Sequence, residues 1–320
     1  MLIKKRATNE NGHLRLEYFY DSAREAMYDL LHNMIDGEIV NIILLPGYIG
    51  WSPLEGSGIL DPIAELKGLE VRYYKMREDL TIDTDDLFSK IAKLEDDNFA
   101  VLIVNYFGFV DEQISDISRV VKSRSGWVIE DNAHGFFTYQ YSEGTYSDAT
   151  FFSLHKMFPF ERGGSLVITN KLLSTFTYQG DGLDTAKYNP WVYDIAQIAR
   201  VRRQNYLMLE ELISAKDNHE YFVPLKQTSL GSGVVPQTFP IRILKGNRNE
   251  IYEMMNQAGY GVVSLYHTLV SDLRHPEYQV SLDLSKCILN LPVHQDVEIE
   301  RYSDMIATLK ECCKQTSLGA

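Results

Sequence analysis

Cysteine is scarce in this sequence: Cys287, Cys312 and Cys313 are all there is. Three thiols at that spacing form no disulfide framework and no zinc-ligand pattern, and the adjacent pair Cys312-Cys313 reads as apolar packing on a C-terminal helix. Positive charge is also in deficit. Lys and Arg number 31 against 44 Asp and Glu, a formal charge of −13. That balance argues against a general nucleic-acid or anionic-membrane surface, though not against a local anion site. No apolar run approaches the ~18 residues of a membrane span. The basic start Met1-Leu2-Ile3-Lys4-Lys5-Arg6 has no apolar stretch behind it, so it does not read as a secretory signal, and the expected compartment is the cytoplasm. Internal repeats and low-complexity tracts are missing too. The segment Trp51-Ser52-Pro53-Leu54-Glu55-Gly56-Ser57-Gly58 lacks the Gly-Lys-Ser/Thr ending of a phosphate loop, and Asp61 stands where a dinucleotide fingerprint needs its third glycine.

What is present is an ordinary globular composition, 45% hydrophobic, with a regular alternation of elements. Ser22 to Leu31 predicts a helix, with Glu25 three residues after Ser22 as in a capping box. Val40 to Leu45 and Glu70 to Tyr74 predict strands, Thr84 to Leu94 a helix, and Ala100 to Tyr106 a strand covered on both faces. Gln113 to Arg124 predicts a helix and Trp127 to Asp131 the next strand. The fold class that follows is α/β, with a mostly parallel central sheet, right-handed crossovers and helices on both faces. Texture changes after Asn170. Trp191 to Ala215 predicts a long helix. Beyond it come a strand at Phe239 to Leu244, a helix at Arg248 to Ala258, strands at Gly261 to Leu265 and near Cys287 to Leu291, and a last helix from Val297 to about Cys312. The expected organisation is a large α/β domain over 1–190, a bridging helix and linker over 191–235, and a small C-terminal α+β domain over 236–320.

Asn105, Asp131 and Lys156 all fall at or just beyond strand ends, where α/β sheets bind ligands. The pairing of Asp131 with Lys156, flanked by Ser153 and Gly163-Gly164, suits pyridoxal phosphate (PLP). A lysine there can bond covalently to the cofactor aldehyde, and a carboxylate can hold the pyridine nitrogen protonated. Asp131 serves equally as a helix cap. His134 can contact the ring or its phenolic oxygen, or simply pack. Ser153 can donate to a phosphate, and the Ser22-Ala23 turn can offer helix-start N–H groups, although capping explains Ser22 as well. Trp51 or Tyr48 can stack on a pyridine ring, or fill a core or an interface. Lys156 sits among Phe152, Leu154, Met157 and Phe158, where a solvated lysine is less expected, and burial would lower its pKa.

These residues, in this order, resemble the DegT/DnrJ/EryC1/StrS family, the sugar aminotransferases among fold type I PLP enzymes. The resemblance is carried by Val128-Ile129-Glu130-Asp131-Asn132-Ala133-His134-Gly135, Phe152-Ser153-Leu154-His155-Lys156 and Glu161-Arg162-Gly163-Gly164-Ser165-Leu166-Val167. Weaker echoes are Ser22 to Ala26, Lys187-Tyr188-Asn189, Arg203 to Tyr206 and Leu289 to His294. It implies that Lys156 carries the cofactor and shuttles the proton, Asp131 pairs with the pyridine nitrogen, and His134 stands by the phenolic oxygen. Ser22, Ala23 and Ser153 would hold the phosphate, and Asn189 would reach the partner's site in a homodimer. An amino donor, glutamate, and a keto sugar carried on a nucleotide are the implied substrates, in polysaccharide or natural-product sugar synthesis. Tyr266 and His267 fall on the implied substrate side, in inverted order relative to the family's usual His-Tyr. Arg24, Arg162 and Arg202 are candidates for anionic substrate groups. Pro190-Trp191 replaces a segment that often holds Arg, and the chain is shorter than most members. These departures leave open a PLP-binding regulatory homologue without turnover, and a doubly wound protein without PLP. The dehydratase branch replaces the lysine by His; here His155 precedes a retained Lys156, which favours transamination. No metal is expected.

Overall fold

The structure is a computed structural model that describes residues 16–317 except 96–97, 143–145, 174–175, 181–183, 185–186 and 227–229. The first 15 residues of the expected large domain, part of its polar tail and the last three residues of the chain lie outside that description. The chain runs β1 (Leu16–Tyr20), α1 (Ala23–Asp36), β2 (Ile42–Pro46), α2 (Leu60–Ala64), β3 (Glu70–Tyr74), α3 (Thr84–Ala92), β4 (Phe99–Val104), α4 (Ile114–Ser123), β5 (Trp127–Asp131), α5 (Phe136–Tyr141), β6 (Ala149–Ser153) and β7 (Gly164–Ile168). It continues through α6 (Ile195–Ile213), β8 (Phe222–Pro224), β9 (Thr238–Ile243), α7 (Arg248–Gln257), α8 (Gln279–Cys287), β10 (Ile288–Pro292) and α9 (Tyr302–Ser317).

The large sheet has the order β1-β7-β6-β5-β4-β2-β3. From β3 to β6 the neighbours are parallel; β7 and β1 close one side antiparallel. Every residue of β2, β5, β6 and β7 is buried. Alternate side chains point to opposite faces, so both faces of those strands must be covered. This is the expected α/β class. The chain leaves β2 for β3 on one side and returns to β4 on the other. The strand order reverses there, and the crevice outside the carboxyl ends at such a reversal is where this class binds ligands.

A second sheet, β10-β9-β8, is antiparallel. Tyr206, Leu209 and Ile213 of α6 join its core with Phe239, Ile241, Leu309, Cys312 and Cys313. The adjacent cysteines are therefore packed thiols, as their place on the helix predicts. The expected strand at Gly261 to Leu265 does not form. Val263 alone pairs there, with Asn290. Positive φ at Gly261 (63°) and Tyr266 (57°) bends the backbone away from the ladder on both sides. The third strand is instead β8, only three residues long and too short to carry a pattern. The long helix begins at Ile195 rather than Trp191, because Asp194 caps it by accepting from Gln197 N at 2.9 Å, and Pro190–Val192 forms a 3₁₀ turn before it. The capping box on α1 forms: Ser22 Oγ accepts from Glu25 N, and the Glu25 carboxylate accepts from Asp21 N, both at 3.2 Å. Among the described residues no helix is long and apolar enough to cross a membrane, and no cluster of His, Cys, Asp and Glu is placed to hold a metal ion.

Candidate active site

At the carboxyl ends of the parallel strands lies a cavity of about 740 Å³. The start of α1 brings Ser22, Ala23 and Arg24 to its wall; the loop after β2 brings Trp51 and Glu55; the ends of β5 and β6 bring Asp131, His134, Ser153 and Lys156. Tyr266 and His267, from the bent segment before α8, complete it. Most of the sequence-predicted site residues are thus gathered in one space.

Five are not on that wall; one of them, Arg202, lines a second cavity instead. Tyr48 is fully buried behind it, edge-to-face with Tyr106 at 5.6 Å, with its hydroxyl 3.4 Å from Tyr266 O. A ring so enclosed has no face left to stack on a ligand. Arg162 lies at the surface, bonded to Asp21 and 5.7 Å from the Tyr188 ring. Asn189 caps the 3₁₀ turn, accepting from Trp191 N at 3.0 Å. Asn105 is buried and donates to Glu130 at 2.8 Å and to Asn132 at 2.9 Å, while Asn132 donates to Thr150 at 2.9 Å. It ties strand ends together instead of lining the cavity.

Asp131 is 8% exposed, and its Oδ1 accepts from Ala133 N at 2.8 Å. Its other oxygen has no partner among the described residues. Burial raises the Asp131 pKa, while the Ala133 N–H and the Lys156 charge pull it down. A buried carboxylate with one open oxygen is poised for a cationic or N–H guest.

Lys156 departs from the expected burial. Phe152, Leu154, Met157 and Phe158 bury their own side chains in an aromatic cluster with Phe136 and Phe137. Lys156 itself keeps accessible surface. The residue lines this cavity and a second one. Protein density around the amine governs its charge, and desolvation lowers its pKa from the ordinary 10.5, opposed by the attraction of Asp131. Its Nζ stands 3.4 Å from His134 Nε2. His134 Nδ1 accepts from Phe107 N at 3.3 Å, so that nitrogen is unprotonated and Nε2 carries the hydrogen. Burial, then the Lys156 charge, drives the His134 pKa well below 6.5. The imidazole is thus neutral and turns Nε2 toward the Lys156 amine.

The other end of the cavity suits an anion. The first-turn N–H groups of α1 have no intrahelical acceptors, and the helix dipole favours negative charge there. Ser153 adds a hydroxyl 3.3 Å from His155 Nδ1. Close approach of β7 makes this corner: a Cβ built on Gly164 would stand 2.3 Å from the carbonyl carbon of Ser22 and 2.5 Å from Ala23 N. Gly164→Ala is therefore expected to push α1 off β7 and cost about 1–3 kcal/mol, as overpacking does. Denaturant unfolding measures it, and an unchanged midpoint would refute the tight-corner reading.

Carboxylate, amine and anion cradle around one cavity match the pyridine nitrogen, aldehyde and phosphate of PLP. Sequence reading missed Glu55 and His155 as wall residues and the Phe107 N–H as the group that sets the His134 tautomer. No pattern announces the last, since it depends on Phe107 holding φ 57°.

No protein-family model matches the chain, and no curated protein does. Solved structures do. A Streptococcus pneumoniae protein, Spr1654, described as a sugar aminotransferase in its PMP form, superposes with a TM-score of 0.74 at 14% identity, over 94% of this chain and 86% of that one. A DegT DnrJ EryC1 StrS aminotransferase from Brucella abortus gives 0.71 at 14% identity, over 93% and 86%. The E coli GDP-4-keto-6-deoxy-D-mannose-3-dehydratase with bound hydrated PLP gives 0.70 at 17%, over 93% and 88%. The chain has the fold of these proteins.

Proposed function

We propose that this protein is a PLP-dependent aminotransferase that moves an amino group from glutamate to a keto sugar carried on a nucleotide. One observation carries the reading: a Lys156 amine and a half-open Asp131 carboxylate share a cavity whose far corner is a helix start. The fold shared with sugar aminotransferases supports it.

Bound PLP would supply an electron sink for the substrate carbon. Asp131 would keep the ring nitrogen protonated through its open oxygen. The Lys156 amine would take a proton from the substrate carbon and return it to the neighbouring position, and the lowering of its pKa by burial favours the free base that this transfer needs. His134 would hold that amine through its Nε2 hydrogen. The α1 amides and Ser153 would anchor the phosphate, and Trp51 would wall the ring. The sugar would meet Tyr266 and His267. The working form would be a homodimer in which Asn189 completes the partner's site.

A dehydratase reading has the fold in common, but retention of Lys156 favours transamination. The remaining rival keeps the cofactor without turnover. Glutamate added to purified protein separates the two. The enzyme reading predicts loss of the visible absorbance of lysine-bound cofactor together with 2-oxoglutarate formation. A stable absorbance with every amino donor would support the binding homologue instead.

A further inference from the structure

Beyond the first cavity lies a second, of about 680 Å³, also lined by Lys156. Its wall includes Arg202 of α6, with Gln197, His294, Gln295, Asp194 and Asp296. Arg202 is 3% exposed. Its Nε donates to Gln295 Oε1 at 3.1 Å, and its guanidinium carbon stands 5.0 Å from the centroid of the Phe137 ring. The two terminal nitrogens have no hydrogen-bond partner or ion-pair partner among the described residues. A buried guanidinium with four of its five N–H donors unused among the described residues costs free energy that a structural role does not recover. The carboxylates nearby do not neutralise it in contact: Asp194 caps α6, and Asp296 accepts from Gln295 Nε2 at 2.8 Å. The terminal N–H groups therefore remain available to an anionic guest in the cavity.

Charge selects which anion. Two acidic residues share the wall with Arg202, so a diphosphate would meet repulsion, whereas a single carboxylate matches the planar fork of one guanidinium. Gln197 and the ring of His294 flank it as neutral groups; burial lowers the His294 pKa, followed by the effect of the Arg202 charge.

We propose that Arg202 is the carboxylate-binding residue for the amino donor, which occupies the second cavity and presents its amine toward Lys156. This rests on the aminotransferase reading. It assigns the donor to the α6 side and leaves the first cavity's outer wall to the sugar. Arg202 is a specificity residue and touches no reacting atom.

The test is thermal unfolding of purified protein with glutarate, a dicarboxylate without an amine, and separately with inorganic phosphate. Glutarate is expected to raise the midpoint of the wild type and to leave Arg202→Met unmoved, with Arg202→Lys shifted weakly because it lacks the fork. Arg202→Met should raise the KM for glutamate about 30-fold or more, the usual cost of truncating a buried charged partner. An equal glutarate shift in Arg202→Met would overturn the proposal. So would a shift caused by phosphate and removed by Arg202→Met, which would assign the site to the nucleotide. Should Arg202→Met not fold, a full glutarate shift and unchanged KM in Arg202→Lys would overturn it as well. Visible absorbance is read independently: protein that never binds PLP sinks the aminotransferase reading, while cofactor-loaded protein with donor binding indifferent to Arg202 sinks this one.

Discussion

Replacing Lys156 by alanine is expected to abolish transamination, with kcat falling about 10⁴-fold or more, because one side chain supplies both the covalent attachment and the proton transfer. The fold should survive. Phe152, Leu154, Met157 and Phe158 carry the packing around this position, while Lys156 projects into cavities. Its removal also deletes an amine that the folded protein holds below its ordinary pKa. Unfolding midpoints of the variant and wild type, measured without cofactor, should agree to within about 0.5 kcal/mol, as for substitutions outside packed features. Activity retained within tenfold would end the mechanism proposed above. A collapse of stability would show that the amine has a structural role instead.

Asp131→Asn should be milder and more selective. The amide keeps the shape and can still accept from Ala133 N, so binding of the cofactor at Lys156 should persist. What disappears is the charge. A nearby opposite charge is worth about one to three pKa units, so kcat is expected to fall about 10- to 1,000-fold. The stability prediction runs the other way. Burial raises the folded-state pKa of Asp131 above 3.8, so the ionised form is less welcome in the fold than in the unfolded chain. Its contribution therefore becomes unfavourable as pH rises above 3.8. Cofactor-free Asp131→Asn should be at least as stable as wild type at pH 7, and the gap should close as pH falls below that value. A variant with unchanged kcat would remove Asp131 from the ring nitrogen. A variant less stable at pH 7 than the wild type would contradict the account of its burial.

The legible parts of this molecule are those in which one short segment decides its own state. Trp127–Asp131 and Glu70–Tyr74 form strands with the predicted bounds, because Val128-Ile129 beside Trp127, and Val71 with Tyr73-Tyr74, supply the β-branched and aromatic residues that strands favour. The α1 start was readable from Ser22 and Glu25, since a capping box is local. Asp131 and Lys156 were readable because both end apolar runs. What failed depends on distant contacts. Gly261 to Leu265 has strand composition, yet turns at both ends and keeps a single bridge. Tyr48 looked like a stacking ring, and its burial behind Tyr106 is set by how the loop after β2 folds back. Arg202 was one arginine among three; only packing of α6 against Phe137 and Gln295 shows that the group is buried with its terminal nitrogens unused among the described residues.

Reduction of the purified holoprotein with borohydride, followed by peptide mass mapping, tests the central claim most directly. A pyridoxyl adduct on Lys156 and on no other lysine is the expected result. An unmodified Lys156, whether the label sits elsewhere or nowhere, would contradict it.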